Sequence, residues 1–245
     1  MKQSWIDAWW LTKFEIKKIK FSLLLSVLVV VVYSFAYSTL FPNFKITDQM
    51  FSKVFFDLLF VAGVTTIPYL GRTKDYGLKR LYGDFWGTSY FNFLFQTPIS
   101  KKALVKSRFL TYGLQSLVLN IILLVLFYIL SQPFQESLTL GNFILFTIVW
   151  LTLGLQASAM LAASEVGSEM SMSKIIFYSI LVYTIILGAA FWYYKATGLG
   201  IVEGTINLIV SYPVFTLVGS ILLLIIGYFL WGRYSFKIIT KNNYL

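Results

Sequence analysis

Long apolar runs alternate with short polar punctuation along this chain, and the runs are of membrane length. The first, FSLLLSVLVVVVYSFAYSTL at 21–40, carries no charge. At 1.5 Å per residue, about 20 helical residues cross the roughly 30 Å of bilayer hydrocarbon. Its valines are weak helix formers in water. Hydrocarbon offers the backbone no partner but itself, so a helix is expected there. Pro42 and Asn43 are expected to end it. A second run covers 51–70, where Lys53 and Asp57 stand four apart and are placed to pair on one helical face. Pro68 lies near its far end. Further runs at 109–130, 141–163, 174–194 and 208–231 bring the expected spans to six. Pro213 falls in the first turn of the last one, where a missing N–H costs little.

Composition reinforces this reading. The chain has 245 residues, of which 58% are hydrophobic and only 12% are charged, about half the usual charged share. A soluble domain of this size buries a good core without repeated twenty-residue apolar runs. Cysteine and histidine are absent. That removes disulfides, thiolate chemistry, histidine-ligated metal centres and the commonest proton shuttle.

The net charge of +10 suggests nucleic acid in a soluble protein. In a membrane protein it reports topology and anionic lipid. If six spans alternate in direction, seventeen of the twenty Lys and Arg fall on one side: the first twenty residues, the interval 72–108, Lys174 and the tail. Only Lys45, Lys53 and Lys195 fall on the other. The positive-inside bias then places both termini in the cytoplasm, with membrane lipids and no nucleic acid as partners. The opening MKQSWIDAWWLTKFEIKKIK leads into a long apolar run with no short cleavage segment, unlike a signal peptide, and is expected in the mature chain.

In that opening segment Trp5, Ala8, Trp9, Ile16 and Ile19 share a helical face beside Lys13, Lys17, Lys18 and Lys20. Trp favours the headgroup level and Lys snorkels to phosphates, so 1–20 is expected as a flat interfacial helix. A simple anchor and topology signal is the alternative. Within 72–108, the stretch up to Ser89 has several glycines and mixed charge, and is expected to be irregular. YFNFLFQ is apolar again and is expected to open a partly embedded helix. Thr97 is placed as a cap with Pro98 at the first helical position. SKKALVKSR then reads as a short helix with Ala103 and Leu104 inward. Lys101, Lys102, Lys106 and Arg108 face lipid phosphates or an acidic partner surface. A solvated basic loop that fixes topology is the other reading.

Polar groups inside spans are few. Gln115, Asn120, Gln156 and Ser158 read as a helix-packing seam, with pathway lining as the alternative. Gly154, Ala157, Ala159, Ala162 and Ala163 allow close backbone approach there. Asp57 is a carboxylate within a span, hence a functional suspect unless Lys53 explains it. Glu165 and Glu169 stand four apart at the border after span four, to meet a basic partner surface or to lie at headgroup level. Residues 195–213 are apolar but broken by Gly198, Gly200 and Gly204, and are expected as short pieces dipping into the outer leaflet. No G-x-x-x-x-G-K-[ST] phosphate loop occurs. With no Cys or His, a Ser–Lys pair remains formally possible as a nucleophile and base, as at Ser100 and Lys101. Adjacent helical residues do not face each other, so an enzyme is not expected.

A flat N-terminal helix, six spans and TPISKKALVKSR before span three resemble the permease subunits of ABC-2 type exporters. The resemblance implies an all-α integral membrane protein: an elbow helix at 1–20 and a six-span transmembrane domain at 21–245 with a cytoplasmic loop at 72–108. It implies a coupling helix in which Pro98, Ile99, Ser100, Lys101, Lys102 and Lys106 meet a separate ATPase subunit. ATP and Mg would be held by that ATPase and no cofactor by this chain. A second permease, identical or related, would complete the pathway in the plasma membrane of a bacterium. GLGIVEGTINLIVS would match re-entrant pieces before span six. Small members with short external loops are similar to exporters of antimicrobial or cytolytic amphipathic peptides, phenol-soluble modulins among them. The competing readings are an ion-coupled secondary transporter, which needs a titratable group in a span, and a channel or structural subunit.

Overall fold

Where hydrocarbon leaves backbone groups no external partner, helices follow, and long helices dominate this chain. The structure, a computed structural model, describes residues 2–46, 50–70, 72, 78–83, 85–169 and 171–241. In chain order these form α1 (Lys2–Lys18), α2 (Lys20–Ile46), α3 (Met50–Leu70), β1 (Leu78–Tyr82), β2 (Phe85–Thr88), α4 (Ser89–Phe95), α5 (Lys101–Leu130) and α6 (Gln132–Ser137). There follow α7 (Leu140–Val166), β3 (Ser168–Glu169), α8 (Met172–Thr197), α9 (Ile201–Ser211) and α10 (Pro213–Lys241). Six helices, α2, α3, α5, α7, α8 and α10, are long and apolar enough to cross a membrane. The described residues are therefore those of a mainly helical multi-pass membrane protein, with one small sheet among them.

Helix α5 is central and touches α1, α2, α3, α7 and α10. One core cluster is aromatic: Phe60 meets Trp150 edge-on at 4.7 Å, and Phe127 meets Phe134 at 4.4 Å. Phe134, from the short α6 that the sequence pattern did not reveal, is fully buried there. A second cluster joins Leu11 of α1, Phe91 and Leu94 of α4, Leu104 of α5, Val166 of α7 and Ile239 of α10. Both terminal helices therefore contribute to one cluster at the same end of the bundle. Helix α8 makes its main contacts with α3 and α9 and presents most of its side chains outward.

Several expectations are corrected. The apolar part of α2 stops at Phe41, but the helical backbone continues past Pro42 and Asn43 to Ile46. Proline lacks one donor yet its fixed φ suits a helix, so one lost bond near the end does not stop it. SKKALVKSR is not a separate short helix: it is the start of the thirty-residue α5, because nothing between Ser100 and the apolar run breaks the helix. The cap is Ser100, whose Oγ accepts from the Ala103 N–H at 3.2 Å. Thr97 and Pro98 lie in the turn before it, with the Thr97 hydroxyl donating to the Leu94 carbonyl at 2.6 Å.

Within the glycine-bearing stretch, the described residues form two strands rather than irregular chain. Strands β1 and β2 pair antiparallel with Leu78 opposite Thr88 and Tyr82 opposite Phe85. Gly83, at a φ of 48°, supplies the left-handed turn residue. Strand β3 adds to β2 and ties this hairpin to the end of α7. Residues 208–211, expected in span six, belong to the preceding α9, and α10 starts at Pro213.

Candidate functional site

Helix α1 turns its small and polar side toward α5. Ala8, Leu11, Thr12 and Glu15 are its buried residues, while Trp5, Trp9, Trp10 and Phe14 stay largely exposed. This differs from the face expected through Trp5, Ala8, Trp9, Ile16 and Ile19. Close approach to the first turns of α5 needs small groups, and the aromatics are left for the outer surface. Thr12 donates to the Ser107 carbonyl at 3.3 Å and accepts from the Thr111 hydroxyl at 3.4 Å.

That approach carries Glu15 into a buried ring of charges. Arg108, on α5, reaches Glu15 through both terminal nitrogens, at 3.0 Å for one of them, and Glu165 of α7 at 3.2 Å. Arg72, just past α3, donates to both Glu15 and Glu165, and its Nε donates to the Tyr112 hydroxyl at 3.1 Å. Tyr112 in turn donates to Glu165 at 2.6 Å, and the Arg72 guanidinium lies 4.3 Å from its ring centre. Burial alone would lower the Arg72 pKa. The negative charge of Glu165, with Tyr112 and Glu15, outweighs it and holds the group above its ordinary value.

Two cations and two anions leave the ring neutral, so each buried charge has its counter-charge. Its chemical capacity is mechanical: α1, the end of α3, α5 and α7 share one ionic knot. Arg108 and Glu165 were expected at the headgroup level or against a partner, and both are instead fully inside this knot. Glu15, Arg72 and Tyr112 were not singled out as site residues. The available signal was Glu15, an acid among lysines, standing on the same helical face as Ala8, Leu11 and Thr12.

The expected coupling residues lie beside the knot. Pro98, Ser100, Lys101 and Lys102 are exposed, and Ile99 is partly buried against the second core cluster. The Lys101 ammonium lies 4.9 Å from the Phe95 ring centre. Lys106 is held by the Ser4 hydroxyl at 2.9 Å and lies over Trp5 at 4.2 Å. The side chain of Glu169 lies outside the described residues.

The span polar groups take separate places. Asn120 donates to the Val64 carbonyl of α3 at 3.2 Å and to Ser116 at 3.1 Å, packed against Gly154. Gln156 donates to the Leu223 carbonyl and links α7 to α10. Gln115 is buried on α5 with neither amide atom hydrogen-bonded. Asp57 does not pair directly with Lys53 as expected. Its oxygens accept the N–H groups of Ile201 and Val202, at 2.5 and 3.0 Å, at the start of α9. Lys53 pairs with Glu203 at 3.0 Å and donates to the Gly198 carbonyl at 3.3 Å. A helix N-terminus presents free N–H groups, and a carboxylate is their natural acceptor. Comparison with family models, curated proteins and solved structures finds no match to this chain.

Proposed function

We propose that this chain is the membrane-spanning subunit of an ATP-driven exporter, driven by a separate ATPase that docks on Pro98, Ile99, Ser100, Lys101, Lys102 and Lys106. The supporting observation is mechanical. The exposed residues at the start of α5 belong to the same helix that carries Arg108 into the four-element knot. A push on that turn is transmitted along one rigid helix to α1, α7 and the end of α3, as alternating access by rigid-body movement requires. In this reading α1 is the elbow, both termini are cytoplasmic, and ATP with Mg resides in the partner. The sparse packing of α8 on its own bundle favours a second permease copy or a related permease alongside it. The substrates are amphipathic antimicrobial or cytolytic peptides, or other hydrophobic molecules, moved out of a bacterial cell, as the resemblance implies.

Gentle purification from the native membrane tests this. The expected result is a co-purifying P-loop ATPase whose ATP hydrolysis or retention is lost in Lys101→Glu/Lys102→Glu, while thermal stability holds. Absence of an ATPase from intact preparations sinks the reading. The ion-coupled alternative then turns on Asp57.

A further inference from the structure

Two antiparallel rows of side chains border an open groove between α5 and α10. Phe109, Gly113 and Leu117 form one row at helical four-residue spacing, and Tyr228, Gly232 and Phe236 form the other. The groove has a volume of about 430 Å³. A side-chain carbon added at Gly232 would meet nothing within 4 Å, so glycine there leaves open space. From Val105 to Leu117 the helix rises about 18 Å, slightly more than half of a roughly 30 Å hydrocarbon core. The groove therefore has the length of one leaflet. Its lining is almost wholly apolar, which suits a hydrocarbon chain.

At the end nearest the chain termini the groove becomes polar. Lys106 and Phe236 also border a second hollow, of about 700 Å³, lined by Gln3, Ser4, Ser100 and Lys102. Asp7 lies there as well, accepting from Gln3 at 2.8 Å. Two ammonium groups against one carboxylate leave a single excess positive charge, the complement of one phosphodiester. Trp5, half exposed, lines the apolar groove and lies 4.2 Å beneath the Lys106 ammonium, which borders both hollows; Trp favours the headgroup level of a bilayer.

We propose that α1, α5 and α10 form a binding site for an anionic glycerophospholipid, with its phosphate at Lys102 and Lys106 and one acyl chain between Phe109 and Phe236. The site shares Lys102 and Lys106 with the surface proposed for the ATPase, and lipid binding by the isolated chain tests it without that partner.

Native mass spectrometry of the delipidated protein tests it, with phosphatidylglycerol and phosphatidylcholine of identical chains and with glycerol phosphate. The expected result is at least a tenfold preference for phosphatidylglycerol, and no displacement by glycerol phosphate. Lys102→Gln/Lys106→Gln abolishes the preference, and Gly232→Leu, which fills the slot, abolishes tight binding of phosphatidylglycerol. Equal binding of the two lipids overturns the proposal. So does a preference that survives the lysine variant, displacement by glycerol phosphate, or a peptide retained in the groove. Should the lysine variant fail to fold, undiminished phosphatidylglycerol binding by Gly232→Leu overturns it alone.

Discussion

Arg72 and Arg108 grip the same two carboxylates, each guanidinium reaching both Glu15 and Glu165. A ring of this kind has no spare charge, so removing one member leaves an uncompensated ion in the interior. Glu165→Gln is expected to cost about 3–5 kcal/mol of stability. Adding Arg72→Gln restores neutrality, with Arg108 and Glu15 still paired. The double variant should therefore be less destabilised than the sum of the singles, read as thermal unfolding midpoints in detergent. Strict additivity would mean that the four charges do not act as one unit.

Two hydroxyls compete for the role of cap at the start of α5. The Ser100 hydroxyl accepts an N–H of the helix, whereas that of Thr97 only donates backward to Leu94. Ser100→Ala should lower stability by about 1 kcal/mol, the usual cost of a lost cap. Thr97→Ala should cost less. The reverse order in chemical or thermal unfolding would place the start of the helix at Pro98.

The spans were legible because their cause is local: twenty apolar residues in hydrocarbon have one backbone solution. The break between α8 and α9 was legible for a related reason, since Gly198 and Gly200 interrupt an apolar run there, whereas Gly204, expected as a further break, lies inside the continuous α9. The ionic knot was not. Glu15 and Glu165 stand 150 positions apart, and each alone resembles an ordinary border charge. Only the crossing of α1 over α5 brings them together. Asp57 and Lys53 misled through proximity, because the pairing expected from their spacing lost to stronger distant partners, the free N–H groups of α9 and the carboxylate of Glu203. The hairpin is hard to see in the sequence because glycines signal irregular chain and a tight turn alike, and only the positive φ of Gly83 tells the two apart.

Asp57 ties α9 to α3 through two backbone donors. Hydrogen bonds to a charged acceptor contribute about 1.5–3 kcal/mol. Asp57→Ala should therefore raise amide exchange at Ile201 and Val202 by about 10–100-fold in hydrogen–deuterium exchange, with little change in α5. Asp57→Asn keeps a carbonyl acceptor and should fall between. Unchanged protection in the alanine variant would show that packing alone holds α9 in place.

Helices α2 and α3 meet at Gly63, where the Tyr37 hydroxyl lies over the α-carbon and donates to the Leu59 carbonyl at 2.7 Å. A methyl group at Gly63 would collide with that hydroxyl oxygen before any other atom. Tyr37 is also wedged among Phe56, Phe60 and Phe127, so it has little room to yield. Gly63→Ala should then cost about 1–3 kcal/mol, as overpacking does in a filled core. Tyr37→Phe removes the obstructing oxygen but also a buried hydrogen bond, a cost of about 1 kcal/mol alone. Combined, the two changes should be milder than their sum, because the second relieves the clash created by the first. Unfolding midpoints of the two singles and the double in one detergent decide it: a double as damaged as the sum would remove this contact as the reason for glycine at position 63.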